Sequence, residues 1–336
     1  MSRGFFDGAR DFGNGSEEGD VTSGGAFESR LGGGAMRILI SGASGLLGKA
    51  LIAALRAQGH GVSRLVRPGG ARAEGDVAWD PRTATIDLAA MEGADAVVHL
   101  SGANIADGRF TTARKAVLRS SRIDTTRVLV DAMAKLQKKP RVFVCASAIG
   151  YYGDGGDEIL TESSANGTDF LALLVRDWEA EARRAEHGGM RVARLRFGVV
   201  LAAEGGALPL MLLPFKFGVG GRLGSGRQWI SWIALEDAVE IACAAIADER
   251  VAGPVNVVAP NPVRNAEFTR IAGAVLHRPA FFAAPAFALR MALGEMADAL
   301  LLISQRVVPK RMEDLGYRFR LPEFEPSLRA ILGRTG

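Results

Sequence analysis

Histidine, tyrosine and cysteine are scarce in this chain, and their absences are informative. Of 336 residues, four are His, three are Tyr and two are Cys. Cys145 and Cys243 lie far apart and in no metal-ligand spacing, which argues against a disulfide framework and fits a reducing, cytoplasmic setting. His60, His99, His187 and His277 are scattered, so no metal site is expected. The start of the chain lacks the basic flank and apolar run of a signal peptide. Long hydrophobic runs are missing too. The longest, Pro285 to Ile303, is interrupted by Arg290, Glu295 and Asp298, which predicts a buried amphipathic helix and not a membrane span. No block of Lys and Arg interleaved with aromatics occurs, so nucleic acid is not an expected partner.

Two local absences are sharper. There is no Asp or Glu between Gly42 and Glu74, and no Lys between Lys139 and Lys216. Both bear on chemistry below.

What is present is ordinary globular composition, 48% hydrophobic and 23% charged, with ample material for a core. Formal charge is +4, and from Met36 onward 38 basic residues face 31 acidic ones. A mild basic excess suits an anionic ligand. Residues 1–35, rich in Gly, Ser, Asp and Glu and without periodicity, are expected to be a disordered extension or tag, with the fold beginning at Met36.

From there, strand and helix patterns alternate. Arg37–Ser41 reads as a strand, Lys49–Gln58 as a helix ended by Gly59, and Val62–Val66 as a second strand. Ala94–Ser101, Arg141–Ser147 and Met190–Leu201 read as further strands, with helices over Arg114–Leu136 and Thr168–Arg184. Runs of Val, Ile and Leu in such alternation predict an α/β fold, a Rossmann-type doubly wound parallel sheet covered on both faces. After about residue 205 glycines and prolines break the rhythm. The expected division is a dinucleotide-binding domain over 36–204, with later strands returning to the sheet, and a smaller substrate-side lobe over 205–336.

The segment Ile38 to Gly48 is strand, turn and helix start, with glycines at 42, 45 and 48. Gly42 would permit the tight turn, Gly45 the approach of a pyrophosphate, and Gly48 close packing of helix on sheet. Free N–H groups over Ser44, Gly45, Leu46 and Leu47, aided by the helix dipole, would hold phosphate charge. An acidic residue at the end of the second strand would select NAD by bonding its adenosine ribose. This chain offers Arg64 and Arg67 there, then Pro68-Gly69-Gly70. A guanidinium clamps a 2′-phosphate bidentately, so NADP(H) is expected over NAD(H).

These motifs resemble the extended short-chain dehydrogenase/reductases. They include the glycine pattern, His99-Leu100-Ser101-Gly102-Ala103, and Ser147-Ala148-Ile149-Gly150-Tyr151-Tyr152-Gly153. More narrowly the chain resembles an uncharacterised epimerase-family branch with its own C-terminal domain. That likeness is carried by Lys115 to Thr126 with Ser121-Arg122, Gly220 to Trp232, Arg278-Pro279, Gly294-Glu295, Gln305 to Pro309 and Gly316-Tyr317. It covers Met36 to about Ile331.

The resemblance implies that Leu100, Ser101 and Gly102 line the cofactor path and that Arg122 reaches cofactor or active-site water. It also implies that Phe197-Gly198-Val199 pass near the nicotinamide and that Ser147 stands at the catalytic serine position, one residue further from Tyr152 than is usual. A small-molecule substrate, nucleotide-sugar-like if it follows the family, is implied as well, with Arg227, Gln228 and Trp232 on its side of the site. No pattern specifies an oligomeric state.

One departure is decisive for mechanism. Family members use Tyr-x-x-x-Lys, in which the Lys lowers the Tyr pKa for proton exchange. Four residues beyond Tyr151, Tyr152 and Tyr317 stand Gly155, Gly156 and Leu321. Two readings therefore stay open. One is an NADP-dependent oxidoreductase or epimerase-like enzyme with an unusual proton donor, drawn from Ser147, Tyr151 and Tyr152, or from Lys115 or Arg122 on the facing helix. The other is a non-enzymatic NADP(H) sensor or scaffold.

Overall fold

The structure, a computed structural model, describes residues 34–334, so the extension expected over 1–35 lies outside the described residues but for its last two positions. The first strands are Arg37–Ser41 (β1), Gly61–Val66 (β2), Val77–Asp80 (β3), Thr85–Ile86 (β4), Ala96–His99 (β5) and Val142–Ala148 (β6). Ile159–Leu160 (β7), Arg191–Phe197 (β8), Val199–Leu201 (β9), Trp229–Ile230 (β10) and Trp232–Ala234 (β11) follow. Gly253–Val257 (β12), Val263–Arg264 (β13) and Arg306–Val307 (β14) complete the set.

Eight of these form one sheet in the order β12-β8-β6-β5-β1-β2-β3-β4. Every neighbouring pair is parallel except β3–β4. Strand order reverses between β1 and β5, and at such a point a crevice opens beyond the carboxyl ends of the strands.

Period-2 alternation sorts the side chains into two layers. Ile38, Ile40, Val142 and Val144 face one side, where Leu46–Ala57 (α1) and Leu235–Ala247 (α7) pack. Leu39, Val97, Phe143 and Cys145 face the other. That side is covered by Leu88–Met91 (α2), Thr112–Arg119 (α3), Thr125–Lys135 (α4) and Phe170–Arg183 (α5). Cys243 on α7 belongs to the first layer, so each layer holds one buried thiol. A third core joins Leu208–Lys216 (α6), Trp232, Asn265–Leu276 (α8) and Phe324–Ile331 (α11). Between these lie Ala286–Leu293 (α9) and Lys310–Asp314 (α10).

Three elements differ from the periodicity. The expected helix over 114–136 is broken by a π turn at Ser120–Asp124, where Thr125 Oγ1 donates to Ser121 O at 2.8 Å and Thr126 Oγ1 to Arg122 O at 2.6 Å. Met190–Leu201 is two strands, because the chain turns at Gly198 and β9 pairs with β11 outside the main sheet. The helix expected over Pro285–Ile303 stops at Gly294 (φ +63°), and no residue of α9 is buried. Phe287 and Met291 stand exposed on it. Among the described residues no helix is long and apolar enough to cross a membrane.

Candidate cofactor and active site

The β1–α1 turn is closed by Gly45 N–H donating to Gly42 O at 3.0 Å. Gly42 takes φ +73°, and a Cβ there would lie 2.6 Å from the carbonyl carbon of Leu100. A Cβ on Gly48 would lie 2.3 Å from Gly42 O. Both glycines are therefore required by close backbone approach. Helix α1 begins after Gly45 with no side-chain cap and no acid in its first turn, so its leading N–H groups stay available to an anion.

Gly42 abuts Leu100 and Ser101, and the Leu46 side chain comes within 3.0 Å of where a Gly206 Cβ would stand. Gly102 lies over Arg122, its would-be Cβ 3.3 Å from Cζ. Arg122 Nη2 donates to Ala103 O at 3.1 Å, and the guanidinium lies 5.4 Å from the Trp178 ring centroid. Its pKa is pushed down to about 10, first by burial and then by Arg114. Among the described residues no carboxylate pairs with it, and a desolvated cation left so favours an anion brought beside it.

The two arginines at the end of β2 part company. Arg64 is bound to Asp76, with Nε 3.0 Å from Oδ1, and the Asp76 carboxylate also accepts from Ala73 N–H at 2.7 Å. Burial works to raise the Asp76 pKa, but Arg64 and the backbone donors outweigh it and hold it below the ordinary value. Arg64 is thus tied to Asp76 and to the Ala71 carbonyl of the same loop, so its guanidinium is already engaged within the protein. Arg67 is exposed and lines a cleft of about 350 Å³ together with Arg72, Trp79 and Asp80. Arg72 was not singled out by sequence. The Trp79 indole N–H is buried and has no partner among the described residues.

At the other end of the crevice the three catalytic candidates converge. Ser147 Oγ donates to Glu179 Oε1 at 2.6 Å. Glu179 is paired with Arg196 through Nε–Oε1 at 2.7 Å and Nη2–Oε2 at 2.9 Å. Arg196 Nη1 donates to the Tyr152 hydroxyl at 2.9 Å, which donates to Asn256 Oδ1 at 2.6 Å. Burial would lower the Arg196 pKa, but the Glu179 carboxylate overrides it and holds it above the ordinary value. Burial pushes the Tyr152 phenol up to about 12, against the pull of Arg196.

Ser147 and Tyr152 are 4% exposed, so both hydroxyls belong to an interior network. Tyr151 differs. It is half-buried, its ring stacks on Arg196 with Cζ 3.5 Å from the centroid, and its hydroxyl makes no hydrogen bond among the described residues. On α5 the i, i+4 pair facing this loop is Leu171 and Val175, whose side chains stand 3.7 and 4.0 Å from a would-be Gly150 Cβ. A hydrocarbon pair therefore covers this face of the helix. Lys115 is engaged elsewhere, its Nζ 2.6 Å from Glu295 and over the Phe170 ring.

Phe197 ends β8 next to this network, and Val199 begins β9 after Gly198. A Cβ on Gly198 would lie 2.6 Å from Ser231 O, so the glycine lets β9 cross. In the loop before β10, Arg227 is exposed, whereas Gln228 spends its amide on Leu223 O and Leu301 O at 3.1 and 3.0 Å. Trp232 is fully buried with its indole N–H on Asn261 O, and packs against Phe324. It builds the lobe's core and lines no cleft, contrary to expectation. The accessible aromatic is Trp229, stacked between Arg264 and Arg306 at 4.4 and 4.6 Å and donating to Asp157 Oδ1 at 2.9 Å. Neither of those arginines was foreseen, because each reaches Trp229 through tertiary contact.

Comparison with known proteins agrees with this architecture. Residues 38–258 match the NAD dependent epimerase/dehydratase family, and residues 284–331 match a domain of unknown function, DUF1731. An epimerase family protein of Mycobacterium bovis is 46% identical over 282 residues, covering 84% of this chain and 93% of that one. The crystal structure of human epimerase family protein SDR39U1 with NADPH superposes with a TM-score of 0.79 at 34% identity, over 89% of this chain and 100% of that chain. The nucleoside-diphosphate sugar epimerase of Corynebacterium glutamicum gives a TM-score of 0.74 at 38% identity. It is matched over 89% of this chain, which spans 59% of that longer one.

Proposed function

We propose that this chain, which belongs to the NAD dependent epimerase/dehydratase family, binds NADP(H) at the β1–α1 turn. There it acts as an oxidoreductase on a small anionic substrate of nucleotide-sugar kind, without a Tyr-x-x-x-Lys pair. The observation that carries the cofactor reading is the end of β2. β2 itself ends without a carboxylate, and Arg67 and Arg72 line the adjoining cleft, whose other walls include Trp79, Asp80 and Asp87. The human relative crystallised with NADPH supports the same choice.

The glycine turn and the N-terminus of α1 would hold the pyrophosphate, and Arg67 with Arg72 the 2′-phosphate. Arg122 and the loop it braces would adjoin the ribose. When bound, the nicotinamide supplies or accepts hydride. A substrate carbonyl becoming an alcohol needs a proton. Tyr151 Oη is the proposed donor, since the hydroxyls of Ser147 and Tyr152 are engaged inside the protein. Glu179 and Arg196 hold Tyr151 in place through the ring stacking. Arg227, beside the Trp229 cluster, would meet the substrate's anionic group.

A second reading, an NADP(H) sensor, is favoured by the hydrocarbon face of Leu171 and Val175. Calorimetric titration with NADPH and NADH, followed by a screen of nucleotide sugars and simple carbonyls for loss of NADPH absorbance, tests both. Tight NADPH binding with turnover supports the enzyme, and tight binding with no turnover supports the sensor. Equal affinity for both cofactors contradicts the NADP preference.

A further inference from the structure

A second basic groove lies on the small lobe and shares no residue with the glycine turn or the cleft beyond β2. It has a volume of about 640 Å³ and lies along α8 and the segment that follows it. Arg222, Arg270, His277 and Arg278 line it, with Phe281 at one end and no carboxylate among its walls. None of the three arginines forms an ion pair among the described residues. Arg222 donates only to a backbone carbonyl, that of Ser225, at 3.0 Å.

The convergence has a local cause. Helix α8 ends at His277 in the left-handed conformation, φ +53°, and Arg278 N–H then bonds back to Gly273 O at 2.9 Å. That turn throws His277 and Arg278 back beside Arg270, which lies two helical turns before it. Gly273 leaves room for this, since a Cβ there would lie 2.6 Å from that of Ala280.

Two further features point to a ligand. Thr269 lines the groove and is 4% exposed, yet its buried hydroxyl has no hydrogen-bond partner among the described residues. A helical threonine ordinarily gives that hydroxyl to the carbonyl four residues back, and a buried unpaired one is costly. Phe281 is 77% exposed, its ring 4.5 Å from that of Phe282, so a flat apolar face stands at the rim of a cationic groove.

We propose that this groove binds a nucleoside diphosphate. Arg270, Arg278 and Arg222 take the phosphates, Thr269 Oγ1 donates to a phosphate oxygen, and Phe281 stacks on the base. Guanidinium groups match phosphate oxygens in bidentate geometry, and exposed aromatics stack on bases with little regard to identity. The volume falls in the range of small-molecule sites, about 300–1,000 Å³. The site does not depend on which nicotinamide cofactor the protein prefers.

The test is calorimetric titration of the full chain with pyrophosphate and with ADP, each in the presence of saturating NADPH. The wild type is compared with R270Q/R278Q, T269V and F281A. The double variant should weaken both probes by roughly a hundredfold or more, at about tenfold or more per lost arginine contact, with NADPH affinity and melting temperature retained. T269V keeps the side-chain volume and should weaken pyrophosphate by about tenfold. ADP should bind tighter than pyrophosphate in the wild type, and F281A should abolish that difference. Failure of the wild type to bind either probe, or undiminished binding by R270Q/R278Q, overturns the site. ADP binding no tighter than pyrophosphate overturns its assignment to a nucleotide.

Discussion

Ser147 and Glu179 meet at 2.6 Å in the interior between β6 and α5, hydroxyl to carboxylate. That carboxylate also neutralises Arg196, so this serine is part of a charge network that holds the sheet to its helix. Glu179→Gln should leave a buried guanidinium uncompensated and cost about 3–5 kcal/mol. Ser147→Ala should cost about 1–2 kcal/mol, the value of one bond to a charged acceptor. Urea unfolding of both variants measures this. A loss from Glu179→Gln no larger than that from Ser147→Ala would show that the network is not structural.

Tyr151 and Tyr152, adjacent in sequence, should separate in kinetics. Once a turned-over substrate is identified, Tyr151→Phe should lower kcat by about 10²–10⁴-fold, the range for loss of a general acid, and leave NADPH affinity unchanged. Tyr152→Phe should act mainly on stability, since its hydroxyl bridges Arg196 and Asn256. Full activity in Tyr151→Phe would remove it as the donor.

At the other end of the crevice, Arg67→Ala and Arg72→Ala should each weaken NADPH about ten- to a hundredfold and leave NADH nearly unchanged. Arg64→Ala should instead release Asp76 and loosen the β2–β3 connection, seen as a lower melting temperature. A selective loss of NADPH affinity from Arg64→Ala, with Arg67 and Arg72 inert, would reverse this assignment.

Burial pushes the His99 pKa down to about 3 from 6.5. Its ring shares hydrogen bonds with Ser41 Oγ at 2.6 Å and Thr125 Oγ1 at 3.3 Å. Below pH 6.5 the unfolded chain takes up a proton that the folded chain refuses. The contribution is therefore complete above pH 6.5 and is lost as pH falls toward 3, on the order of a few kcal/mol in all. Melting temperature against pH should fall more steeply for the wild type than for His99→Gln over this window. Parallel curves would show that another group governs acid unfolding.

What could be foreseen follows from range. The glycines at 42, 45 and 48 announce the turn because strand, turn and helix are contiguous, and each layer of the sheet follows from period-2 alternation. The fate of Arg64 was hidden because its partner, Asp76, lies just before β3, beyond the segment that lacks an acid. Arg72 sits in an aperiodic loop and gives no signal alone. Trp229 and Trp232 look equivalent after a glycine turn, yet three residues apart in extended chain they face opposite sides. The first is stacked by Arg264 and Arg306, and the second is sealed against Phe324. The coupling of Ser147 to Glu179 and Arg196 joins three separate elements, and no local pattern encodes it.

The two thiols lie one on each side of the sheet, Cys145 among the residues under α4 and α5 and Cys243 on α7. Burial raises the pKa of both, that of Cys243 to about 12, so neither reacts as a thiolate while its layer is closed. The native chain thus carries its own pair of clocks. Trapping with a thiol reagent, followed by mass analysis of the two cysteine peptides, times the exposure of each helical layer separately. Matching rates would mean that the layers come away from the sheet in one event. A faster Cys243 would mean that the α1–α7 side opens first.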